Sequence, residues 1–141
     1  MYKVKILSIG KTREKWLQEA VAEYTKRLQN RLLIEWTLCK DDKSLLTETL
    51  KEKSLICLDP QGLVLNSNDF SQKLRQLFID EHSRLTFVIG GAEGIPLQVK
   101  QRAVLLLSLS PLTFTHQLTR LILIEQLYRA LEIAKGSSYH K

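Results

Sequence analysis

Two short stretches carry residue types that can do chemistry. One is "VIGGAEG", residues 88 to 94, where three of the chain's six glycines follow an apolar run. Glycine lacks a Cβ, so the backbone can turn sharply, come close to a bound molecule and offer its N–H groups. The other is the terminal run Tyr139, His140 and Lys141, a short cluster that combines an aromatic ring, a titratable base and a cation. Such a set can stack on a planar base, take up a proton and stabilise developing negative charge. A tight strand-to-helix turn explains the glycines equally well, and chain ends are commonly frayed.

The glycine spacing is neither GxGxxG after a first strand nor GxxxxGK[ST], so it supports neither a dinucleotide site of the Rossmann kind nor a P-loop. Cys39 and Cys57 have no CxxC spacing, and His82, His116 and His140 are scattered, so spacing predicts no metal centre. Both cysteines are expected to be packed free thiols. No GxSxG elbow supports a hydrolase.

The elements that must position these residues follow from periodicity. Alternation predicts a first strand in "YKVKILSIG", and helical spacing of Trp16, Leu17, Ala20, Val21, Tyr24 and Leu28 predicts a helix over 13–29. Next come a strand over 32–39, a loop over 40–44, a short helix over 45–52 and a buried strand over 54–59 stopped by Pro60. After a loop around Gly62, Asn68 or Asp69 is expected to cap a helix running through 82, with Phe70, Leu74, Leu77 and Phe78 inward. The remaining elements are a strand "LTFVIG", a helix from Pro96 to about 102, a strand over 104–110 and a closing helix over 117–135. Five strands alternating with five helices predict a single α/β domain, 1–141, with a mostly parallel sheet and helices on both faces. That places the glycines at the carboxyl end of a buried strand, where open α/β sheets bind ligands.

The chain of 141 residues is expected to form one globular unit, with no membrane span and no signal peptide in "MYKVKILSIG", and so to be cytoplasmic. Its net charge of +6 is uneven: residues 1 to 31 carry eight basic side chains against three acidic ones. A basic face there, including Lys11, Arg13 and Lys15, suits a polyanion such as nucleic acid, or is a solvated helix surface.

The C-terminal third adds "LSLSPLTFTHQLTR" (107–120), "EQLYRALEI" (125–133) and "YHK" (139–141) to "VIGGAEG". With the opening "VKILSIGK" and "LDPQG" at 58–62, the whole chain resembles the RlmH family of ribosomal RNA methyltransferases, small members of the knotted SPOUT superfamily. The resemblance implies a C-terminal trefoil knot, a homodimer, and methylation of N3 of a pseudouridine in 23S ribosomal RNA on the assembled 70S ribosome. It implies S-adenosylmethionine as methyl donor, bound by Leu58, by Gly90 and Gly91, and by Leu109, Ser110, Pro111, Leu112, Thr113 and Phe114. Apolar walls with a few hydroxyls suit a nucleoside carrying a sulfonium, with no phosphate to neutralise.

Under that reading Tyr139, His140, Lys141 and Arg129 are the catalytic candidates. Lys11, Arg13, Lys15 and Arg120 are the candidates for RNA contact, and His116 is expected to order the donor loop. Glu125 and Arg129, spaced i, i+4, also suit a simple helix-surface ion pair. The chain departs from the family where relatives carry Asn-His-Pro before Tyr-His, having Gly136, Ser137 and Ser138 instead, and this predicts a more flexible tail. The alternative function is a ribosome-binding or RNA-binding factor of the same fold without catalysis. The closing helix, apolar nearly all round, is expected to pack against its mate in a two-fold dimer.

Overall fold

The computed structural model describes residues 1–140; Lys141, one of the catalytic candidates, lies outside the described residues. Its elements alternate strictly: β1 (Tyr2–Ile9), α1 (Lys15–Leu28), β2 (Leu32–Cys39), α2 (Asp42–Thr49), β3 (Leu55–Val64), α3 (Ser67–Asp80), β4 (Arg84–Ile89), α4 (Leu97–Lys100), β5 (Leu105–Ser108) and α5 (His116–Lys135). The five strands form one sheet in the order β2-β1-β4-β3-β5, and every named pairing is parallel. All strand ends of one kind therefore lie along one edge, and the loops after β1, β4, β3 and β5 are neighbours there.

Helices cover both faces. On one, α1, α3 and α5 bury Leu28, Phe70, Leu74, Phe78, Leu123, Ile124 and Leu127 against Val4, Ile6, Ile56, Leu85 and Phe87. On the other, Leu45 and Val99 from α2 and α4 pack on Leu7, Leu55, Cys57 and Val88. Strands buried on both faces read as apolar runs, which is why "LTFVI" and "SLIC" look alike in the sequence. Both cysteines are free and buried, and burial pushes the Cys57 thiol up to about 11, so it packs as a hydrophobe.

Several boundaries differ from the sequence expectation. Asn66, not Asn68 or Asp69, caps α3, its side chain accepting from the Asp69 N–H at 2.8 Å. That helix stops at Asp80 because His82 and Ser83 turn left-handed, at φ 56° and 65°. Pro60 does not end β3. The strand leaves its ladder after Leu58 and rejoins it at Leu63, both registering with Leu107 of β5. An extra loop of this kind is a bulge, the place in a sheet interior that tolerates a residue without an N–H. Trp16, expected inward, is 57% exposed, because α1 turns Leu17 and Leu28 to the core instead. The apolar surround of α5 is explained largely within the chain: α1 and α3 flank it and it lies over β4, leaving Leu118 exposed and Leu121 and Ile122 half-buried.

Candidate active site

A cavity of about 600 Å³ opens at the carboxyl edge of the sheet, within the size range of small-molecule sites. Three chain segments wall it: Leu58 to Pro60 from the β3 bulge, Ile89 to Ala92 with Gly94 after β4, and Leu109 to Thr119 after β5 and into α5. Because β4, β3 and β5 are neighbours in the sheet, segments that start at Leu58, Ile89 and Leu109 become adjacent walls.

The glycines there do different jobs. A Cβ on Gly90 would lie 2.5 Å from the carbonyl carbon of Gly94, so this position must be glycine for the 90–94 loop to close on itself. That loop is held by the Gly94 N–H donating to the Gly91 carbonyl at 3.0 Å. At Gly91 a Cβ would meet only Ile9, at 3.5 Å, an ordinary contact. Gly90 thus serves the turn, while Gly91 lines the cavity at a place where close packing does not itself demand glycine.

The third wall is built by local hydrogen bonds. Ser108 Oγ donates to the Ser110 carbonyl at 2.9 Å, and Ser110 Oγ accepts from the Leu112 N–H at 3.0 Å, which fixes Leu109, Thr113 and Phe114 along the cavity. Thr115 caps α5, accepting from the Leu118 N–H at 3.2 Å. Of the residues proposed from sequence for the donor, Leu58, Gly90, Gly91, Leu109, Ser110, Leu112, Thr113 and Phe114 all line the cavity; Pro111 sits in the same loop without lining it. Apolar walls from Leu58, Ile89, Leu109 and Phe114 beside the hydroxyls of Thr113 and Thr119 fit the adenosine of a nucleoside donor.

The sequence reading missed Asp59, the carboxylate in this lining. Its neighbour Leu58 was the signal. The Gln61 N–H, at 3.0 Å, and Lys100 Nζ, at 3.1 Å, hold its carboxyl below the usual carboxylate range, so it is charged at neutral pH. His116 also lines the cavity, where burial first, then the charges of Arg120 and Arg13, push its imidazole down and keep it neutral.

The terminal candidates form a separate cluster on α5. Glu125 Oε1 accepts from Arg129 Nη2 at 2.6 Å and Nε at 3.0 Å, and from the Tyr139 hydroxyl at 3.2 Å. The Arg129 guanidinium lies 4.8 Å from the centre of the Tyr139 ring, which packs edge-on against Tyr128, with centroids 4.8 Å apart. Burial, then the Tyr24 hydroxyl at 3.3 Å and the Glu125 charge, push the Tyr139 phenol far up, so it stays neutral. Arg129 Nη1 lies 3.0 Å from His140 Nδ1. Arginine only donates, so Nδ1 accepts, and a neutral ring then carries its proton on Nε2. Through His140 the tail is packed back against α5 by these contacts.

The structure does not bring the tail and this cavity together within one chain. Tyr139 and Arg129 do not line the cavity, and ten residues of α5 between Thr119 and Arg129 span about 15 Å. His140 instead borders a neighbouring cleft of about 490 Å³, with Asn66, Ser67, Ser108 and Gln126, whose wall at Leu109 is shared with the larger cavity. Lys11, Arg13 and Lys15 are exposed on and beside the loop after β1, on the same edge of the sheet. Arg120 corrects the expectation of a phosphate contact. It is 1% exposed, and its guanidinium is engaged with Ser8, Thr12 and two backbone carbonyls, because the first turn of α5 packs directly on the end of β1.

Among the described residues no group of three or more His, Cys, Asp or Glu is placed to hold a metal ion, and no helix is long and apolar enough to cross a membrane. Residues 2–140 match the family model described as "Predicted SPOUT methyltransferase". The chain is 57% identical over 141 residues to the ribosomal RNA large subunit methyltransferase H of Protochlamydia amoebophila, covering all of both chains. It is 43% identical to the protein of that name from Prochlorococcus marinus, over 97% of this chain and 94% of the relative. With the Streptococcus gordonii protein of the same name the identity is 37%, over 99% of each chain.

Proposed function

The chain belongs to the SPOUT methyltransferase family, and on that premise we propose that it methylates N3 of a pseudouridine in the RNA of the large ribosomal subunit, using S-adenosylmethionine. One observation carries the reading. The three separate segments that the resemblance assigns to the donor, around Leu58, Gly90 and Leu109 to Phe114, converge on one cavity at the carboxyl edge of a parallel sheet. Relatives named for methylation of large-subunit ribosomal RNA, matched end to end, support the substrate class.

When bound, the donor supplies an electrophilic methyl group on sulfur. The chain's own residues have three tasks. Leu58, Leu109 and Phe114 would enclose the adenosine, and Asp59 would set a negative charge near the sulfonium's cavity. Orientation of donor and acceptor is worth up to about 7 to 11 kcal/mol, provided water is excluded and the reacting atoms are in line. The ring N–H must also lose its proton as the new bond forms, and the ring carbonyls gain negative charge. Arg129 and the His140 Nε2–H are donors suited to those carbonyls. Accepting the proton at His140 requires that ring to leave Arg129 or to act in another tautomer.

A homodimer, the 70S particle as substrate and a trefoil knot belong to the same proposal. The separation of the tail cluster from the donor cavity in one chain supports a dimer in which one subunit's tail serves its mate's cavity. The exposed Leu112 and Leu118, beside the half-buried Leu121 and Ile122, offer an apolar face for that contact. The passage of the chain from edge strand β5 back to α5, through the loop that walls the cavity, is compatible with the knot. The decisive test is mass spectrometry of ribosomal RNA from cells with and without the gene, with labelled S-adenosylmethionine used to measure binding. Loss of one methylated pseudouridine is expected. An unchanged modification pattern with intact donor binding rejects this target, and no donor binding leaves an RNA-binding factor. Light scattering should give a dimer at micromolar concentration; a monomer defeats the shared site.

A further inference from the structure

Arg120 is among the largest fully buried side chains of the protein, and among the described residues no carboxylate pairs with it. A buried cation is costly unless its donors are met. Here all of them are met by one short segment and by α5 itself. Nε donates to Ser8 Oγ at 2.8 Å, Nη2 to the carbonyls of Ile9 at 2.7 Å and Gly10 at 2.8 Å, and Nη1 to Thr12 Oγ1 at 2.8 Å, with Gln117 Oε1 further off at 3.4 Å. The five N–H groups of a guanidinium are fixed in a planar fork. A fork spread over Ser8, Ile9, Gly10 and Thr12 holds that backbone in one conformation.

Other contacts act on the same segment. Gln117 Nε2 donates to the Lys11 carbonyl, Gln18 Nε2 to the Thr12 carbonyl at 2.6 Å, and the Gly10 N–H to the Cys39 carbonyl at 2.8 Å. Gly10 sits at φ +88°, and a Cβ there would press on His116 Nε2 at 3.3 Å. The segment so held bears Lys11 and Arg13, whose side chains remain exposed. Close to Arg120 on the same helix, His116 and Thr119 form a wall of the donor cavity.

Resting on the methyltransferase reading, we propose that Arg120 is a positioning residue that clamps the loop after β1, setting Lys11 and Arg13 as a phosphate-binding pair at a fixed place relative to the donor cavity. Its charge never meets RNA; its fork holds the cations that do. A fixed pair engages the RNA backbone without first ordering the loop, so losing the clamp weakens RNA engagement more than the chemical step.

The test uses the full-length protein with Arg120→Met, Arg120→Lys and the milder Thr12→Val. Amide hydrogen exchange over residues 9 to 13 needs no activity and reads the clamp directly. It should speed up about tenfold or more in Arg120→Met, with a smaller rise in Thr12→Val. Arg120→Lys keeps the charge but loses the fork, so exchange should stay fast. In methyl transfer to ribosomes, KM should rise roughly tenfold and the salt dependence should flatten, the scale set by freeing two phosphate-contacting cations. The fall in kcat and in donor affinity should be smaller. Unchanged exchange over 9 to 13 in a folded Arg120 variant overturns the clamp. Full recovery of exchange and KM by lysine overturns it as well, since charge alone would then suffice. Faster exchange in Thr12→Val with unaltered ribosome KM overturns the link to RNA. If the wild type binds donor but methylates no ribosome, the substrate reading fails, while the exchange data still decide the clamp.

Discussion

The donor cavity and the tail cluster are built by opposite means. The cavity is made of backbone turns, small residues and apolar walls from three strand ends, with Asp59 as its carboxylate. The tail cluster is made of long polar and aromatic side chains, where Tyr24 of α1, Glu125, Tyr128 and Arg129 of α5, and Tyr139 and His140 beyond it bond or stack on one another. A backbone-built cavity is preformed and suits a ligand of constant shape. A side-chain cluster suits placing and polarising a group whose charge changes during reaction. Under the proposed function, the difference puts donor affinity in one region and turnover in the other.

Removing residues 139 to 141 puts that division to its hardest test. Methyl transfer to saturating ribosomes should fall on the order of a hundredfold, the usual scale for losing a proton-transfer or charge-stabilising group. Donor affinity by calorimetry should stay close to that of the full chain. Turnover at the intact rate would make the tail only a cover for α5. The converse change is Gly91→Val. The nearest atoms to its Cβ belong to Ile9, at 3.5 Å, an ordinary contact, so the fold should hold while a branched side chain thickens the cavity wall that Gly91 forms. Donor affinity should drop about tenfold or more, with a circular dichroism spectrum like that of the parent. An unaltered dissociation constant would take Gly91 out of the site.

The two regions were also unequally legible in the sequence. The cavity follows from a rule about parallel sheets, since an apolar run before glycines marks a strand end and strand ends bind ligands. Neither Pro60 nor Gly62 signals that β3 resumes at Leu63, because rejoining depends on β5 being the neighbour, a pairing more than 40 residues away in sequence. The tail was legible only as residue types. Its contacts join Tyr24 to Tyr139 and Arg31 to Glu132, pairs separated by more than 100 residues, and no local pattern encodes such distances. Arg120 misled for the same reason. An arginine in the first turn of a helix reads as solvent-facing, and only the packing of α5 on the end of β1 turns it inward.

A third region, the basic loop, sharpens the contrast because it should touch neither affinity for the donor nor turnover. Lys11→Ala combined with Arg13→Ala removes two exposed cations beside the cavity. The ribosome concentration at half-maximal rate should rise several-fold, and the slope of log KM against log salt should flatten by up to about two, one counterion per lost phosphate contact. An unchanged slope in filter-binding and kinetic assays would move RNA recognition elsewhere.

The smallest effect concerns His116, where cavity and basic loop meet. Burial, then Arg120 and Arg13, lower its pKa from the ordinary 6.5, so the folded protein holds the imidazole neutral. The unfolded chain therefore takes up this proton at higher pH than the folded one. On this group's account stability is flat above 6.5, declines as pH falls below it, and stops declining once pH passes the lowered folded value. Protonation of the folded protein would also place a cation in the wall of a cavity that takes a sulfonium, so donor binding should weaken at the acid end of that window, as pH falls through the lowered folded value. His116→Gln cannot titrate. Between about pH 7.5 and about pH 5.5, a range that brackets ordinary imidazole titration, the variant should lose less donor affinity and less thermal stability than the parent, by a few-fold and a few degrees at most. Identical acid limbs for the two proteins would show that the imidazole is not the group that titrates there, and would leave Asp59 and the donor itself to account for the pH response.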